Sequence, residues 1–352
     1  MDIADAPRDS NVIHNTKKTD NRKQRNDNGQ GSMANFADEC QIVMNMVHTD
    51  GFVQRIELSG GHVPSVIVYS DRQIRDVKSF CFGISNRTER CVLGFDKTYN
   101  LGSIYVTPSV FKNPALIRRR TSDSPLFLGP IFIHGHSDFH TYSYFFSHLA
   151  SCFADCAGEH LTIGSDDELA MRKAMQHSFA SSVFVVCTRH LKENVTRHLD
   201  ATMGNKDRLR KKITDGLFGT DGVSSCVDVI AFDEAAEKFR HGTLQQAAPE
   251  TQQYIERRIL ALLRLNVSAG KSGWTNNNAE SMNHVLKQMV QWRPQKLPEL
   301  IANLRTLVEA QYTEADRALC GRGDFVLATS HAKHRLTVDA WQDMSAKENE
   351  SY

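Results

Sequence analysis

The hydrophobic pattern of this chain changes period once, and that change limits the folds open to it. Up to residue 135 the apolar residues come in short, nearly unbroken runs: CVLGF (91–95), SIYVTPSVF (103–111) and PLFLGPIFIHG (125–135). Such runs suit strands buried on both faces of a sheet. Then Tyr142, Phe145, Phe146, Leu149, Cys152, Phe153 and Cys156 recur at three, four and seven residues, which marks one face of a helix. LTIGS (161–165) reads as a strand, Leu169, Ala170, Ala174 and Met175 as a helix face, and SVFVVC (182–187) as a further buried strand. The first three strands suggest an antiparallel meander. The order βββαβαβ then places the chain in the α/β class with a mixed sheet.

The flanks are read with the same rules. FVQRIEL (52–58) and SVIVY (65–69) are strand-like, and DVKSFCF (76–82) is a short helix or strand. Residues from about 190 to 270 carry helical spacing: Leu209, Ile213 and Leu217 in one helix, Ile230 and Phe239 in a second, and Tyr254, Ile255, Ile259, Leu262 and Leu263 in a third that Pro249 starts. The expected organisation is a disordered polar tail over 1–35, a β-rich lead-in over 36–90 and a core over 91–312. Within that core an all-helical insertion spans about 196–270, and 313–352 is a polar C-terminal tail. Lys17, Lys18, Arg22, Lys23 and Arg25 in the first tail suit a nuclear import signal or a phosphate-contacting arm, against the plainer reading of a solvated tail.

Composition excludes some classes. With 352 residues, 40% hydrophobic and 24% charged, the chain has an ordinary globular make-up, and a net charge of +1 gives no global field toward nucleic acid. No run approaches the roughly 18 apolar residues of a membrane span. MDIADAPRDSN lacks the basic-then-apolar order of a secretory signal, so the eight cysteines, none in a CxxC pair, are expected as reduced thiols.

Three acids stand out by position. Asp96 ends the run CVLGF, Asp166 follows LTIGS, and Glu280 opens an amphipathic helix in TNNNAESMNHVLK (275–287). In that helix Asn277 or Asn278 is placed to cap, and Ala279 permits close approach to a sheet. Met282, Val285, Leu286, Met289 and Val290 form the apolar face, while Glu280, Asn283 and Lys287 share another. Each acid alone fits a turn, a cap or a helix-dipole partner. Together they form a set that binds hard divalent cations, which take oxygen ligands and, in pairs about 3.5–4 Å apart, act on phosphodiester bonds. Asp167 and Glu168 compete with Asp166 for its place.

Five segments in this order resemble the catalytic domain of Mutator-like element (MULE) transposases. GFDKTYNLGSIYVTPSVFKNPAL (94–116) is similar to the first-aspartate block and GPIFIHGHSDFHTYSYFFSHL (129–149) to the strand and helix after it. TIGSDDELAMRKAMQHSF (162–179) resembles the second-aspartate block, VFVVCTRHLKENV (183–195) the Cys-x-x-His block, and TNNNAESMNHVLK the final glutamate block. The likeness runs from about residue 65 to 312. It implies an RNase H-like mixed sheet of the DDE type with a helical insertion before the last acid. It further implies Asp96, Asp166 and Glu280 as catalytic residues and ligands of a two-metal Mg2+ or Mn2+ site, supported by Cys187 and His190. The implied reaction is metal-dependent DNA strand cleavage and strand transfer in the nucleus, on transposon ends and target DNA. The family's zinc-type DNA-binding modules are not seen here: the first 35 residues hold no cysteine, and after Cys226 only Cys320 remains. A homo-oligomer or a separate DNA-binding chain therefore joins DNA among the expected partners. The alternative is a catalytically idle, host-adopted remnant that binds DNA or protein.

Other constellations compete. Cys187 and His190 offer two zinc ligands where a structural site needs four, so no structural zinc is expected, and a buried thiol with a helix-capping histidine is the plainer reading. HGHSDFH (134–140) suggests a metallo-β-lactamase-like hydrolase, but Phe139 separates the aspartate from the last histidine; capping of the next helix by Ser137, Asp138 or Thr141 explains it. Arg118, Arg119 and Arg120 in a hairpin loop, and Lys206, Arg208, Arg210, Lys211 and Lys212 at the start of the insertion, are candidate phosphate contacts or solvated faces. Trp274 is a base-stacking candidate or a core anchor.

Overall fold

A computed structural model of the chain describes residues 31–49, 51–58, 63–82, 90–99, 101, 104–156, 159–204 and 206–337. The basic cluster Lys17 to Arg25 lies outside the described residues, as do most of the expected N-terminal tail and the end of the C-terminal one. Residues 31–35, assigned to that first tail from sequence, belong instead to helix α1 (Gly31–Thr49).

Seven strands form one mixed sheet: β1 (Val53–Glu57), β2 (Ser65–Val68), β3 (Leu93–Phe95), β4 (Tyr105–Lys112), β6 (Leu126–His134), β7 (Thr162–Ser165) and β8 (Val183–Val186), with β5 (Leu116–Arg118) outside it. Their spatial order is β1-β2-β6-β4-β3-β7-β8. Pairs from β1 through β3 are antiparallel, while β3–β7 and β7–β8 are parallel. The meander expected from sequence is β3, β4 and β6. This mixed α/β sheet is compatible with the RNase H-like arrangement that the resemblance implies. β4 and β6 lie centrally and are buried along almost their whole length, which is why their sequences are apolar without alternation. Pro108 cannot donate to the ladder, and a register shift between Pro108 and Val110 absorbs it.

The segment 76–82, ambiguous in sequence, is helical: α2 (Asp71–Cys81) starts at a capping box in which Ser70 and Gln73 satisfy each other's backbone groups. Its Gln73, fully buried, donates to the carbonyls of Leu128 and Gly129 at 3.1 and 2.8 Å. On the sheet lies α3 (Phe139–Cys152), whose Phe145 stacks on Phe132 with ring centres 4.8 Å apart. α4 (Leu169–Ser178) packs beside it.

After β8 the chain is helical: α5 (Thr188–Met203), α6 (Asp207–Phe218), α7 (Val229–Gly242), α8 (Pro249–Tyr254), a π-helical turn over Ile255–Leu260, and α9 (Ala261–Ser268). These elements have their own core, including Leu199, Ile213, Leu217, Phe232 and Ile259. Ile230, grouped with Phe239 from spacing, is 74% exposed, because it lies in the first turn of α7, off the buried face of Phe232, Ala236 and Phe239. The chain then returns to the sheet with α10 (Asn277–Met289) and α11 (Leu297–Leu319). Residue 313 begins no tail. α11 continues with Ala315, Ala318 and Leu319 buried, and β9 (Phe325–Leu327) pairs with β5. No helix among the described residues is long and apolar enough to cross a membrane. All eight cysteines are free of disulfides.

α10 ends in a Schellman turn. Gln291 N–H donates to the Gln288 carbonyl and Trp292 N–H to the Lys287 carbonyl, both at 2.8 Å. Gln291 takes φ +51° and Trp292 φ +59°, a region that suits glycine at the first of these positions. Gln291→Gly is expected to stabilise the protein by about 0.5–1 kcal/mol, read as a higher midpoint in urea unfolding with an unchanged slope; a lower midpoint would contradict the assigned turn.

Candidate functional site

The sheet register brings the first two acids together. Leu93, Gly94 and Phe95 pair with Ile163, Gly164 and Ser165, and Ser165 in turn pairs with Val186. The next residue beyond each strand is Asp96, Asp166 and Cys187, so three chemically active side chains leave adjacent strand ends side by side. Carboxyl ends of parallel strands are where open α/β sheets place their ligands.

Glu280 arrives from the other direction. The paired glycines Gly94 and Gly164 clear the sheet surface for the segment Trp274–Ala279. A Cβ on Gly164 would fall 2.3 Å from the Trp274 ring, and one on Gly94 would meet the Asn276 side-chain oxygen at 3.2 Å. Trp274 is thus a packing anchor over Gly164. Ala279, fully buried, lets α10 approach, so that Glu280 in its first turn faces the strand ends. Asn276, not Asn277 or Asn278, is the cap residue, yet its side chain caps nothing: it donates to the Phe95 carbonyl at 2.9 Å and to Asp166 at 3.3 Å. Its backbone N–H meets the Cys187 sulfur at 3.3 Å. Asn283, two turns on, donates to Asp96 Oδ2 at 2.7 Å. Val285, assigned to the apolar face from sequence, is 39% exposed, because Met282, Asn283 and Leu286 take the buried side.

Two cations face the three acids. His190 Nδ1 lies 2.7 Å from Asp166 Oδ1, and its Nε2 lies 3.8 Å from Glu280 Oε1. Arg189 makes an ion pair with Glu280. Burial, then the charge of Asp166 and a hydrogen bond to it, then Glu280, push the Asp96 carboxyl up to about 7, against the opposing effect of His190. The hydrogen bond to Asp166, and after it one to Cys187, hold the His190 imidazole up at about 10, with burial opposing. The Cys187 thiol is fully buried at the start of α5.

Two donor sets overlap at Asp166. Asp96, Asp166 and Glu280 offer oxygen alone, which suits Mg2+ or Mn2+. Asp166, Cys187 and His190 place one ligand atom each within 4.8 Å of one another, a mixed set suited to a softer ion. The rival acids are committed elsewhere. Asp167, with 1% of its side chain exposed, is held by Arg172 at 2.5 Å and Arg258 at 2.6 Å. Glu168 pairs with Lys97 at 3.0 Å and accepts from the Tyr142 hydroxyl at 3.1 Å.

HGHSDFH does not converge. His134 is fully buried between the Thr107 hydroxyl at 2.8 Å and the His136 carbonyl at 2.6 Å, while His136, Asp138 and His140 are exposed. Asp138 caps α3 by accepting from Thr141 N–H at 2.9 Å. Among the basic candidates, Arg119 is spent on the carbonyls of Gly321 and Gly323 at 2.6 and 2.9 Å, and Arg210 on Asp200 at 2.7 Å and Asp207. Arg118, in strand β5 rather than a loop, and Arg120, Arg208, Lys211 and Lys212 are exposed. Sequence reasoning missed Arg189, although it lies inside the Cys-x-x-His motif, and the roles of Asn276 and Asn283.

No family model matches the chain, and no curated protein matches it. Among solved structures, the chain is similar to the "Drosophila P element transposase strand transfer complex", with a TM-score of 0.22 and 11% sequence identity over 69% of this chain and 75% of that one. The Mutator-like resemblance rests on its motifs.

Two outcomes follow. Gly164→Ala drives a methyl into a rigid indole and is expected to cost about 1–3 kcal/mol, measured by denaturant unfolding; an unchanged midpoint would contradict the Trp274 packing. His134, whose burial holds its pKa down at about 4, stays neutral while the unfolded chain takes up a proton below about 6.5. Its contribution is therefore complete above pH 6.5 and is lost at about 1.4 kcal/mol per pH unit as pH falls toward 4. An NMR titration should show His134 unprotonated at pH 5; protonation there would refute the assignment.

Proposed function

We propose that this chain cuts and rejoins DNA strands with divalent cations as a DDE-type transposase domain, of the Mutator-like kind by its motifs. What carries the reading is that Asp96 and Asp166 leave neighbouring strand ends with Glu280 near enough to act on them: burial first, then the charges of Asp166 and Glu280, push the Asp96 carboxyl up to about 7. Three carboxylates whose like charges oppose one another fit divalent cations. The cationic side chains of Arg189 and His190 already balance that charge in part. Asp96, Asp166 and Glu280 would hold Mg2+ or Mn2+, which when bound activates the attacking oxygen and stabilises the leaving one. Asn283 and Asn276 orient Asp96 and Asp166 through the amides they donate. His190 fixes Asp166 from the other side, and Arg189 is positioned to meet a phosphate oxygen once Glu280 is otherwise engaged. The proposed place of action is the nucleus, and DNA is the proposed principal partner.

A second reading has its own observation. The Arg189–Glu280 and His190–Asp166 ion pairs balance the charge of two of the three acids without any ion, as in a remnant that keeps the fold and binds DNA or protein without cutting it.

Asp96→Asn separates the two. It removes a ligand and also the repulsion, so Mn2+-dependent nicking of supercoiled plasmid should fall by more than about 100-fold while the metal-free protein at pH 8 gains on the order of 2 kcal/mol. Sign follows from the raised pKa: native Asp96 keeps its proton between about 4 and about 7, so stability from this group falls as pH rises through that window, and the Asn variant escapes the loss. Nicking by the wild type that survives the substitution overturns the metal-centre assignment; no nicking by the wild type, with DNA bound, supports the remnant.

A further inference from the structure

Two exposed aromatic rings meet at Lys287, about two turns along α10 from Glu280, and the cleavage chemistry does not use them. Tyr99 lies three residues beyond Asp96, and Trp292 closes α10, the helix that carries Glu280 and Asn283. They are 54% and 57% exposed. Lys287, one further turn along the face of Glu280 and Asn283, places its ammonium 5.1 Å from the centre of the Tyr99 ring and 5.9 Å from that of Trp292. His284 meets Trp292 edge-on with ring centres 5.6 Å apart. A hydrogen bond of 2.7 Å from Gln295 N–H to the Leu101 carbonyl ties the Tyr99 segment to the Trp292 turn.

The backbone provides a second, independent observation. A bulky residue with positive φ is an outlier, and Trp292 is the second of two consecutive residues held so. Folding alone would favour glycine there and would bury an indole rather than leave most of it in water. Strain at an exposed ring on the turn that ends the helix carrying Glu280 and Asn283 points to a ligand for that ring.

We propose that Tyr99, Lys287 and Trp292 form a stacking platform for an unpaired DNA base about two turns along α10 from the acid cluster. This deepens the DNA-cutting reading and rests on it. Flat, exposed rings take the face of any base, and an ammonium shared between them draws the adjoining phosphate, the combination by which proteins hold single strands without reading sequence. A strand end must leave the helix to be rejoined, and a base unstacked at that end needs a surface.

Binding of the full chain to a single-stranded oligonucleotide of about 12 nucleotides and to the same sequence as a blunt duplex tests this in EDTA, where no cleavage intrudes. Single-strand binding should quench tryptophan emission. Trp292→Ala and Tyr99→Ala should each weaken it by about tenfold or more and leave duplex binding unchanged. Trp292→Phe should keep the affinity and lose most of the quench. Trp292→Gly should lose affinity yet melt no lower than the wild type, which separates lost stacking from lost folding. Equal single-strand affinity in Trp292→Ala overturns the platform, as does absence of single-strand binding by the wild type. So does a wild-type dimer in sedimentation that Trp292→Ala dissociates, which would make the rings a contact between copies. Nicking that depends on Asp96 with binding indifferent to Trp292 removes the platform alone; binding through Trp292 without any nicking removes the cleavage reading alone.

Discussion

Everything at the candidate site depends on the pairing of Gly94 with Gly164 in neighbouring parallel strands. Two residues without side chains, in register, leave a shallow floor on the sheet, and Trp274 and Asn276 lie on it. That contact fixes where α10 begins, and hence where Glu280 points. It also explains why the acids are one residue beyond the strand pairs Phe95–Ser165 and Ser165–Val186: the ladder ends there, and the next side chains are free to turn toward one another. A shift of one residue in this register would reverse the face of every side chain in β7 and separate Asp166 from Asp96.

The cost of that convergence is electrostatic. Asp96 is half-buried near two other acids, and its carboxyl resists ionisation until about neutral pH. The fold tolerates the cluster by surrounding it with donors: amides from Asn276 and Asn283, an imidazolium from His190 and a guanidinium from Arg189. None of these is a hydrophobic contact that would stabilise the fold by itself. The neighbouring Asp167 shows the contrast. Held between Arg172 and Arg258, it is a closed ion-pair network with its side chain 1% exposed, and it has no capacity left for chemistry.

The sheet and the positions of Asp96 and Asp166 were legible from sequence because buried strands write continuous apolar runs and the two aspartates stand at their ends, while Glu280 was legible as the acid that opens an amphipathic helix. Less was legible where side chains act through unusual partners. An asparagine before a helix reads as a cap, but Asn276 reaches the Phe95 carbonyl across the glycine floor, a contact that depends on tertiary approach. Ile230 and Val285 follow helical spacing and are exposed, since spacing gives a face but not which neighbour covers it. The end of the chain reads as polar, yet α11 passes residue 312 with Ala315, Ala318 and Leu319 buried, few and mostly small residues that leave a weak apolar signal. The basic runs were ambiguous for the same reason. Charge is visible in sequence, whereas the carbonyls that occupy Arg119 and the acids that occupy Arg210 are not.

The helical insertion is more than a spacer between the second and third acids. β8 is the outer strand of the parallel side, and an open strand edge there would invite pairing with another chain. Asn266 of α9 closes it locally as a strand mate would: its oxygen accepts from Val186 N–H and its nitrogen donates to the Val186 carbonyl, both at 2.8 Å. Arg258, in the π-helical turn of the same region, holds Asp167, the residue next to Asp166. π-Helical turns are rare and frequently occur at functional sites. The insertion therefore secures the residues on both sides of the acid cluster, Val186 before Cys187 and Asp167 after Asp166, so that displacement of these helices would move two of its elements at once.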